Sequence, residues 1–93
     1  MNVRRHRPLT LQGLRAFEAV ARLLNFRQAG EEMHLTQSAV SRQIRALEDE
    51  LGAKLFARTP RGVQLLSAGE VFLAHARRIL DEVDRAAAAV RKG

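Results

Sequence analysis

Apolar residues recur every three or four positions along most of the chain, which is the period of an amphipathic helix. The clearest example is the stretch TQSAVSRQIRALEDELG, residues 36–52. Its apolar stripe consists of Val40, Ile44, Leu47 and Leu51. Thr36 is a suitable N-cap because its hydroxyl can accept from a backbone N–H of the first turn. Gly52 can end the helix in the left-handed conformation. We therefore predict a helix between these two residues.

Two shorter helices are predicted before this one. Residues 10–24 begin with Thr10 as a cap, and Asn25 tolerates the left-handed conformation that ends a helix. The apolar stripe of this helix consists of Leu11, Leu14, Phe17, Ala21 and Leu24. Residues 26–33 form a short second helix, and a tight turn leads from it into Thr36. Two short helices joined by such a turn are typical of a helix-turn-helix.

Residues 54–66 have the pattern of a short β-hairpin. Its turn is Thr-Pro-Arg-Gly, in which Pro60 presets φ at the second position and Gly62 relieves strain at the fourth. Arg58 and Arg61 flank the proline, so the tip is basic. Directly after a helix-turn-helix, such a hairpin is a wing that can touch the DNA backbone or minor groove. The alternative is an ordinary solvated hairpin.

The apolar pattern of residues 67–92 predicts one long helix with a heptad-like apolar seam. The seam consists of Phe72, Ala76, Ile79, Val83, Ala86 or Ala87, and Val90. A helix of this length, ~37 Å, projects past a core built from the rest of the chain. The protruding seam therefore predicts self-association. Folding back onto the core and lying on a membrane surface are the alternatives, and acids that balance the arginines argue against the membrane.

The polar face of residues 36–51 has an unusual order of charge. Its first turns hold only hydroxyl, amide and guanidinium groups, on Gln37, Ser38, Ser41, Arg42 and Arg45. The acids Glu48, Asp49 and Glu50 follow only in the last turns. Acids are normally favoured at a helix N-terminus, where they meet the positive end of the dipole. Keeping them away from that end suits a helix whose N-terminal half approaches a polyanion.

These polar groups match the edges and phosphates of duplex DNA. Arg42 is the best candidate for guanine, because a guanidinium can donate to O6 and N7 together. Gln37 can pair with adenine or hold a phosphate, and the hydroxyls of Ser38 and Ser41 can donate or accept at close range. Thr36 and the helix dipole favour a nearby phosphate. Arg27, Arg45, Arg58 and Arg61 are candidates for backbone contacts, which set affinity more than sequence preference.

Composition narrows the classes of function. The 93 residues make one small domain, and 16 Lys and Arg against 10 Asp and Glu leave a net charge of +6. Such a charge points to nucleic acid, an anionic membrane or acidic proteins, with simple solubility as the alternative. The only aromatics are four phenylalanines, which disfavours single-strand binding by base stacking. Residues 1–8 form a basic arm that either touches phosphates or is a solvated tail.

The sequence lacks the signatures of several other classes of protein. The chain has no cysteine, and no apolar run reaches the ~20 residues of a membrane span. The N-terminal arginines precede no apolar segment of the kind found in a signal peptide, so a cytoplasmic protein is expected. His6, His34 and His75 lie on unlike segments, and no Gly-rich phosphate loop exists. We assign no catalytic residue, no metal site and no cofactor.

The run FRQAGEEM, then LTQSAVSRQIRALEDELGAKLF and Arg58, closely resembles the DNA-binding domain of LysR-type transcriptional regulators. The resemblance extends from PLTLQGLRAFEAV to the long last helix. It implies a mainly α fold, a winged helix-turn-helix with a three-helix core and a two-stranded wing, over residues 1–66. It also implies a linker helix for dimerisation over residues 67–93 and operator DNA with dyad symmetry. A C-terminal effector-binding domain, absent from this chain, would bind the small-molecule ligand.

By this resemblance, Gln37, Ser38, Ser41 and Arg42 occupy base- and phosphate-reading positions, and Arg58 matches the arginine of the wing. Pro60 and Arg61 lie at the tip of the same predicted hairpin. Two residues depart from the family pattern. Arg27 stands where Thr or Ser usually caps the second helix; it cannot cap but can reach a phosphate through its charge. Gly30 stands where Ala is usual, which suggests close packing against another helix. The alternative function is a dimerisation or protein-interaction module with only non-specific DNA binding.

Overall fold

The computed structural model describes residues 9–92, so the predicted basic arm, residues 1–8, lies outside the described part. Four helices and one two-stranded antiparallel sheet follow each other in the order predicted. They are α1 Leu11–Leu23, α2 Phe26–Met33, α3 Gln37–Leu51, β1 Phe56–Thr59, β2 Gly62–Leu65 and α4 Ser67–Lys92. The predicted mainly α fold with a winged helix-turn-helix is confirmed.

Side-chain caps begin the first three helices. Thr10 accepts from the Gly13 N–H at 2.9 Å, and Thr36 accepts from the Ala39 N–H at 3.0 Å, as predicted. Gly52 ends α3 in the left-handed conformation, with φ of 69°. These three positions follow from local chemistry alone, since each cap is satisfied within its own turn.

The junction between α1 and α2 differs from the prediction that Asn25 ends α1. Leu24 takes the left-handed conformation there, with φ of 51°. Asn25 is extended and caps α2 instead, its side-chain oxygen accepting from the Gln28 N–H at 2.8 Å. Only two residues separate the helices, so one must end the first and the other must cap the second. The amide side chain serves better as the cap, because leucine has no group that could satisfy that N–H.

The core lies where α1, α3 and α4 meet the start of the hairpin. Its largest fully buried side chains are Phe17, Ile44, Leu55, Val20 and Val40. All four phenylalanines pack in or against it, with ring centroids 5.4 Å apart for Phe17 and Phe56 and 5.0 Å apart for Phe17 and Phe72. The predicted stripe of α1 is wrong at both ends, because Leu11 and Leu24 are exposed. The helix buries Ala16, Ala19 and Val20 in their place.

The turn between α2 and α3 explains Gly30. A Cβ on this residue would lie 2.6 Å from the carbonyl oxygen of Leu35, which is closer than real Cβ contacts. The Leu35 N–H donates to the Gly30 carbonyl at 2.8 Å, and His34 takes the left-handed conformation with φ of 59°. The backbone of the turn therefore makes the close approach to Gly30. The prediction that another helix packs closely against Gly30 is wrong.

The hairpin forms as predicted, with Phe56 opposite Leu65 and Thr59 opposite Gly62. The Thr59 hydroxyl closes the turn, because it donates to the Gly62 carbonyl at 3.1 Å and accepts from the Arg61 N–H at 3.2 Å. Gly62 has φ of 130°, a conformation that favours glycine. The turn thus leaves Pro60 and Arg61 at the exposed tip.

The first half of α4 belongs to the core. A Cβ on Gly69 would overlap the Leu55 carbonyl oxygen, so the helix starts in direct contact with the segment before β1. Ala76 is fully buried and Phe72 packs edge-on against Phe17. These two seam positions were predicted to contact a partner; for Ala76 that prediction is wrong, and Phe72 packs mainly on its own core.

Leu80 still packs against the core, and the part of α4 that follows it projects beyond the core. Ile79 is 43% exposed and Val90 is 80% exposed, and Val83 and Ala87 are half-buried. The 26 residues of the helix give a length of about 39 Å, in a molecule whose longest extent is 50 Å. Among residues 9–92, no helix is long and apolar enough to cross a membrane.

An ion network ties α1 to α2 on the surface. The Arg22 guanidinium donates to Glu18 at 3.1 Å, one turn earlier, and also to Glu32 on α2. Hydrogen bonds from Arg22 hold the pKa of the Glu32 carboxyl below its usual value. Since a lowered carboxyl pKa favours the folded state only above the ordinary pKa, this support is lost on acidification. The network therefore links α1 to α2, the first helix of the helix-turn-helix.

Candidate nucleic-acid interface

The N-terminal half of α3 presents the predicted polar residues on one open, concave surface. Its lining consists of Thr36, Gln37, Ser38, Ser41, Arg42 and Arg45. Every one of these side chains except that of Ser41 belongs to an exposed residue. The structure therefore brings together all four predicted base-reading residues and two of the predicted backbone contacts, Thr36 and Arg45.

This surface carries the positive charge of two arginines, Arg42 and Arg45. Arg42 and Arg45 make no ion pair or hydrogen bond to any residue in the described range 9–92. The first turn of α3 contains no acid. Because the N-terminal end of the helix adds a partial positive charge, the whole concave face attracts anions. Thr36 is already engaged as the cap and also lies 3.3 Å from the Ser38 hydroxyl.

Ser41 differs from its predicted neighbours because it is only 8% exposed. Its hydroxyl oxygen accepts from Nη2 of Arg58 at 2.9 Å. Its base-reading role stays a prediction, and the structure adds that the hydroxyl already accepts one hydrogen bond within the chain. The residue lies in the floor of the concave surface, held by a side chain from the wing.

Arg58 is directed back towards the helix-turn-helix and not outward from the wing tip. The Arg58 guanidinium carbon lies 4.0 Å from the centroid of the Phe26 ring, which is the geometry of a cation–π contact. In the sheet, Arg58 pairs with Val63 and is therefore one residue pair away from the turn. Arg61, by contrast, lies in the exposed turn, and its side chain has no partner among residues 9–92.

Arg27 is exposed but already paired. Its Nη1 donates to Glu31 at 2.8 Å, one turn along α2. The expectation that position 27 is where α2 would be capped is wrong, because Asn25 caps the helix and Arg27 follows inside its first turn. A phosphate contact by Arg27 would have to compete with Glu31 for the guanidinium.

Glu48 was missed as a structural residue by the sequence interpretation, which placed it among the acids on the polar face of α3. It is only 8% exposed. One carboxylate oxygen accepts from the Leu55 N–H at 2.9 Å and from the Phe56 N–H at 3.4 Å, and the other lies 3.7 Å from Lys54 Nζ. Glu48 thus fixes the first residues of the wing to the end of α3. A weak signal existed, since Glu48 lies one residue after Leu47 on the edge of the apolar stripe.

Within residues 9–92, no group of three or more histidine, aspartate or glutamate side chains is placed to hold a metal ion. The concave face instead offers hydrogen-bond donors and positive charge, which are the groups that bind phosphates and base edges.

Comparison with known proteins places these features in context. The family model described as "Bacterial regulatory helix-turn-helix protein, lysR family" matches residues 11–70. The carbapenem-hydrolyzing beta-lactamase transcriptional activator of Enterobacter cloacae is 59% identical over 61 residues, which are 66% of this chain and 21% of that protein. The matched relatives are transcriptional regulators, which agrees with the prediction that the chain is not an enzyme.

Two solved structures share the fold. The CbnR DBD–DNA complex matches with a TM-score of 0.83 and 38% identity, over 89% of this chain and 95% of that chain. The complex of the BenM DBD with catB site 1 DNA matches with a TM-score of 0.85 and 34% identity, over 89% of this chain and 93% of that chain. The chain spans between 20% and 34% of the length of the sequence relatives that it matches.

Proposed function

Because the chain belongs to the lysR family of bacterial regulatory helix-turn-helix proteins, we propose that it is the DNA-binding part of a transcriptional regulator and binds duplex DNA sequence-specifically. The observation that carries the proposal is the concave face of α3. Arg42 and Arg45 are exposed there, and neither side chain forms a hydrogen bond or ion pair with another residue in the range 9–92. The likeness to the DNA complexes of CbnR and BenM supports the same function.

In the proposed complex, the N-terminal half of α3 enters the major groove, which is wide enough to admit one helix. Arg42 pairs with guanine through O6 and N7, and Gln37 pairs with adenine or holds a phosphate. Ser38 is exposed and small, so its hydroxyl can reach a base edge or a phosphate at close range. Ser41 contributes from the floor of the same surface.

The proposed backbone contacts surround this face. Thr36 and the N-terminal end of α3 receive one phosphate. The cationic contacts come from Arg27, Arg45, Arg58 and Arg61, with Pro60 shaping the wing tip. Arg45 and Arg61 are the strongest candidates, because neither side chain has a competing partner in the described part of the chain. The wing, residues 54–66, would lie along the adjacent backbone or minor groove.

The proposed assembly is a homodimer on dyad-symmetric operator DNA, joined through α4. The exposed or half-buried seam positions in the second half of this helix support it: Ile79, Val83, Ala87 and Val90. Residues 1–66 would form the DNA-binding domain and residues 67–93 the linker. An effector-binding domain would follow in the whole protein, with higher oligomers there. A regulator of chromosomal DNA acts in the bacterial cytoplasm, which is the proposed location.

Replacing Ile79 with aspartate tests the seam. Ile79 is exposed in the single chain, so the domain should stay folded. Each dimer would bury two unpaired carboxylates, which should weaken self-association at least tenfold, a change of about 1.4 kcal/mol. Sedimentation equilibrium measures the change. Val71→Asp is the matched control, because Val71 is 65% exposed on the same helix but outside the seam. Equal association of Ile79→Asp and wild type would contradict the proposed interface.

The second candidate function is a dimerisation or protein-interaction module whose charge binds polyanions without sequence preference. Competition by heparin separates the two functions. A sequence-specific binder should retain its preferred duplex at heparin concentrations that displace it from random duplex, because base contacts add to the shared electrostatic term. Displacement from both duplexes at the same heparin concentration would favour the interaction module.

A further inference from the structure

We propose that Arg58 is a positioning residue that sets the Ser41 hydroxyl as a hydrogen-bond donor towards DNA, an inference that rests on the proposed function. The guanidinium of Arg58 lies where three elements meet. Phe26 begins α2, Ser41 lies in the second turn of α3, and Arg58 itself is on β1. One side chain therefore connects the wing to both helices of the helix-turn-helix.

Two contacts fix the Arg58 guanidinium in place. Its carbon lies 4.0 Å from the centroid of the Phe26 ring, and its Nη2 donates to the Ser41 oxygen at 2.9 Å. Phe26 is buried, so the ring is a firm platform. Stacking sets the plane of the guanidinium, and this plane sets the direction in which Nη2 donates. The direction from which Arg58 donates its hydrogen bond to the Ser41 oxygen is thus fixed.

The direction of this hydrogen bond has a chemical consequence. A guanidinium carries only donors and stays protonated at physiological pH, so the Ser41 oxygen always acts as the acceptor. The serine O–H is then left to donate elsewhere. A cation at the oxygen also polarises the hydroxyl, making its proton a better donor and its remaining lone pair a poorer acceptor. Ser41 is therefore set to meet acceptors such as a phosphate oxygen, guanine O6 or thymine O4.

This role differs from a simple phosphate contact, which needs only charge near the backbone. Arg58→Lys separates the two, since lysine keeps the charge but lacks the planar fork that stacks and donates in a fixed direction. We expect Arg58→Lys to lower the ratio of preferred-duplex to random-duplex affinity about five- to tenfold, the range of one hydrogen bond. The dependence of affinity on salt should stay unchanged. Arg78→Lys, at an exposed position of α4 outside the proposed DNA contacts, is the control and should change the ratio less than twofold.

A double-mutant cycle shows whether Arg58 acts through Ser41. Ser41→Ala should lower the affinity ratio by a similar factor, and adding Arg58→Lys to it should have little further effect. If Arg58→Lys keeps the wild-type ratio, charge is sufficient and the positioning role is wrong. If it lowers the ratio by the same factor with and without Ser41, Arg58 reads DNA by itself and the inference is also wrong.

A measurement without DNA separates this inference from the proposed function. In the NMR spectrum of the wild-type chain, the ring current of Phe26 should shift the Arg58 side-chain protons upfield, and Ser41→Ala should move the Arg58 guanidinium resonance. Absence of both effects in a chain that prefers one DNA sequence overturns the inference alone. Presence of both effects in a chain without any sequence preference overturns the proposed function and, with it, the role of Ser41 at DNA.

Discussion

Glu48→Ala should destabilise the domain by roughly 2–4 kcal/mol, the largest effect that we expect from a single polar substitution. The carboxylate accepts from the N–H groups of Leu55 and Phe56 at 2.9 and 3.4 Å, and Leu55 is 1% exposed. Alanine leaves these donors without a partner in a place that water reaches poorly, and it also leaves a cavity. Urea unfolding followed by circular dichroism, at one fixed protein concentration, measures the loss.

Two controls sharpen this test. Glu48→Gln keeps an acceptor oxygen of the same reach but loses the charge, so it should cost less than alanine. Asp49→Ala removes the neighbouring exposed acid and should change stability by less than about 0.5 kcal/mol. A loss at Glu48→Ala no larger than at Asp49→Ala would show that the carboxylate does not hold the wing to α3. DNA binding by Glu48→Ala should then be read only under conditions where the variant is folded.

Arg42→Ala should weaken binding to the preferred duplex by about 1–3 kcal/mol and flatten base preference at one position. The reason is that Arg42 is exposed on the concave face and its side chain has no partner within residues 9–92, so its donors are available to a base. Fluorescence anisotropy on the preferred duplex and on variants of it at each position measures both effects.

Arg45→Ala is the matched control for Arg42. Both arginines lie on the same face of α3, one turn apart, and neither has a partner in the described chain. As a proposed phosphate contact, Arg45 should weaken preferred and random duplexes alike and reduce the salt slope by about one unit. If Arg42→Ala also weakened both duplexes equally, the base-reading role would belong to another residue.

Local chemistry made much of the fold predictable. The caps Thr10 and Thr36 and the left-handed Gly52 are satisfied within their own turns, and the hairpin turn depends on a proline and a glycine two residues apart. The charge order of α3 likewise predicted which half of the helix forms an open polar face. The Asn25 prediction failed because the same residue suits either helix end, and only the two-residue spacing between the helices decides between them.

Contacts between distant segments could not be predicted in the same way. Ser41 and Arg58 are 17 residues apart, and nothing in either segment alone indicates that the hydroxyl accepts from the guanidinium. The sequence around Glu48 is that of a solvated acid on a helix. Its burial depends on the contact with the residues at the start of β1, which only the folded structure shows. Ala76 lies at the heptad-like spacing of the predicted seam, but its own domain buries it, so it is not available to a partner. Each of these outcomes depends on how elements pack, which spacing along one element does not determine.

Selection of bound sequences from a pool of random duplex DNA tests the central proposal most directly. The chain of residues 1–93 would be used at a concentration where sedimentation shows it to be a dimer, with Ile79→Asp carried through the same rounds. We expect a dyad-symmetric consensus for the wild type, with guanine at the position that Arg42 reads, and weaker or half-site enrichment for Ile79→Asp. A pool that stays random after selection would contradict sequence-specific binding, and a strong consensus without dyad symmetry would contradict the dimer.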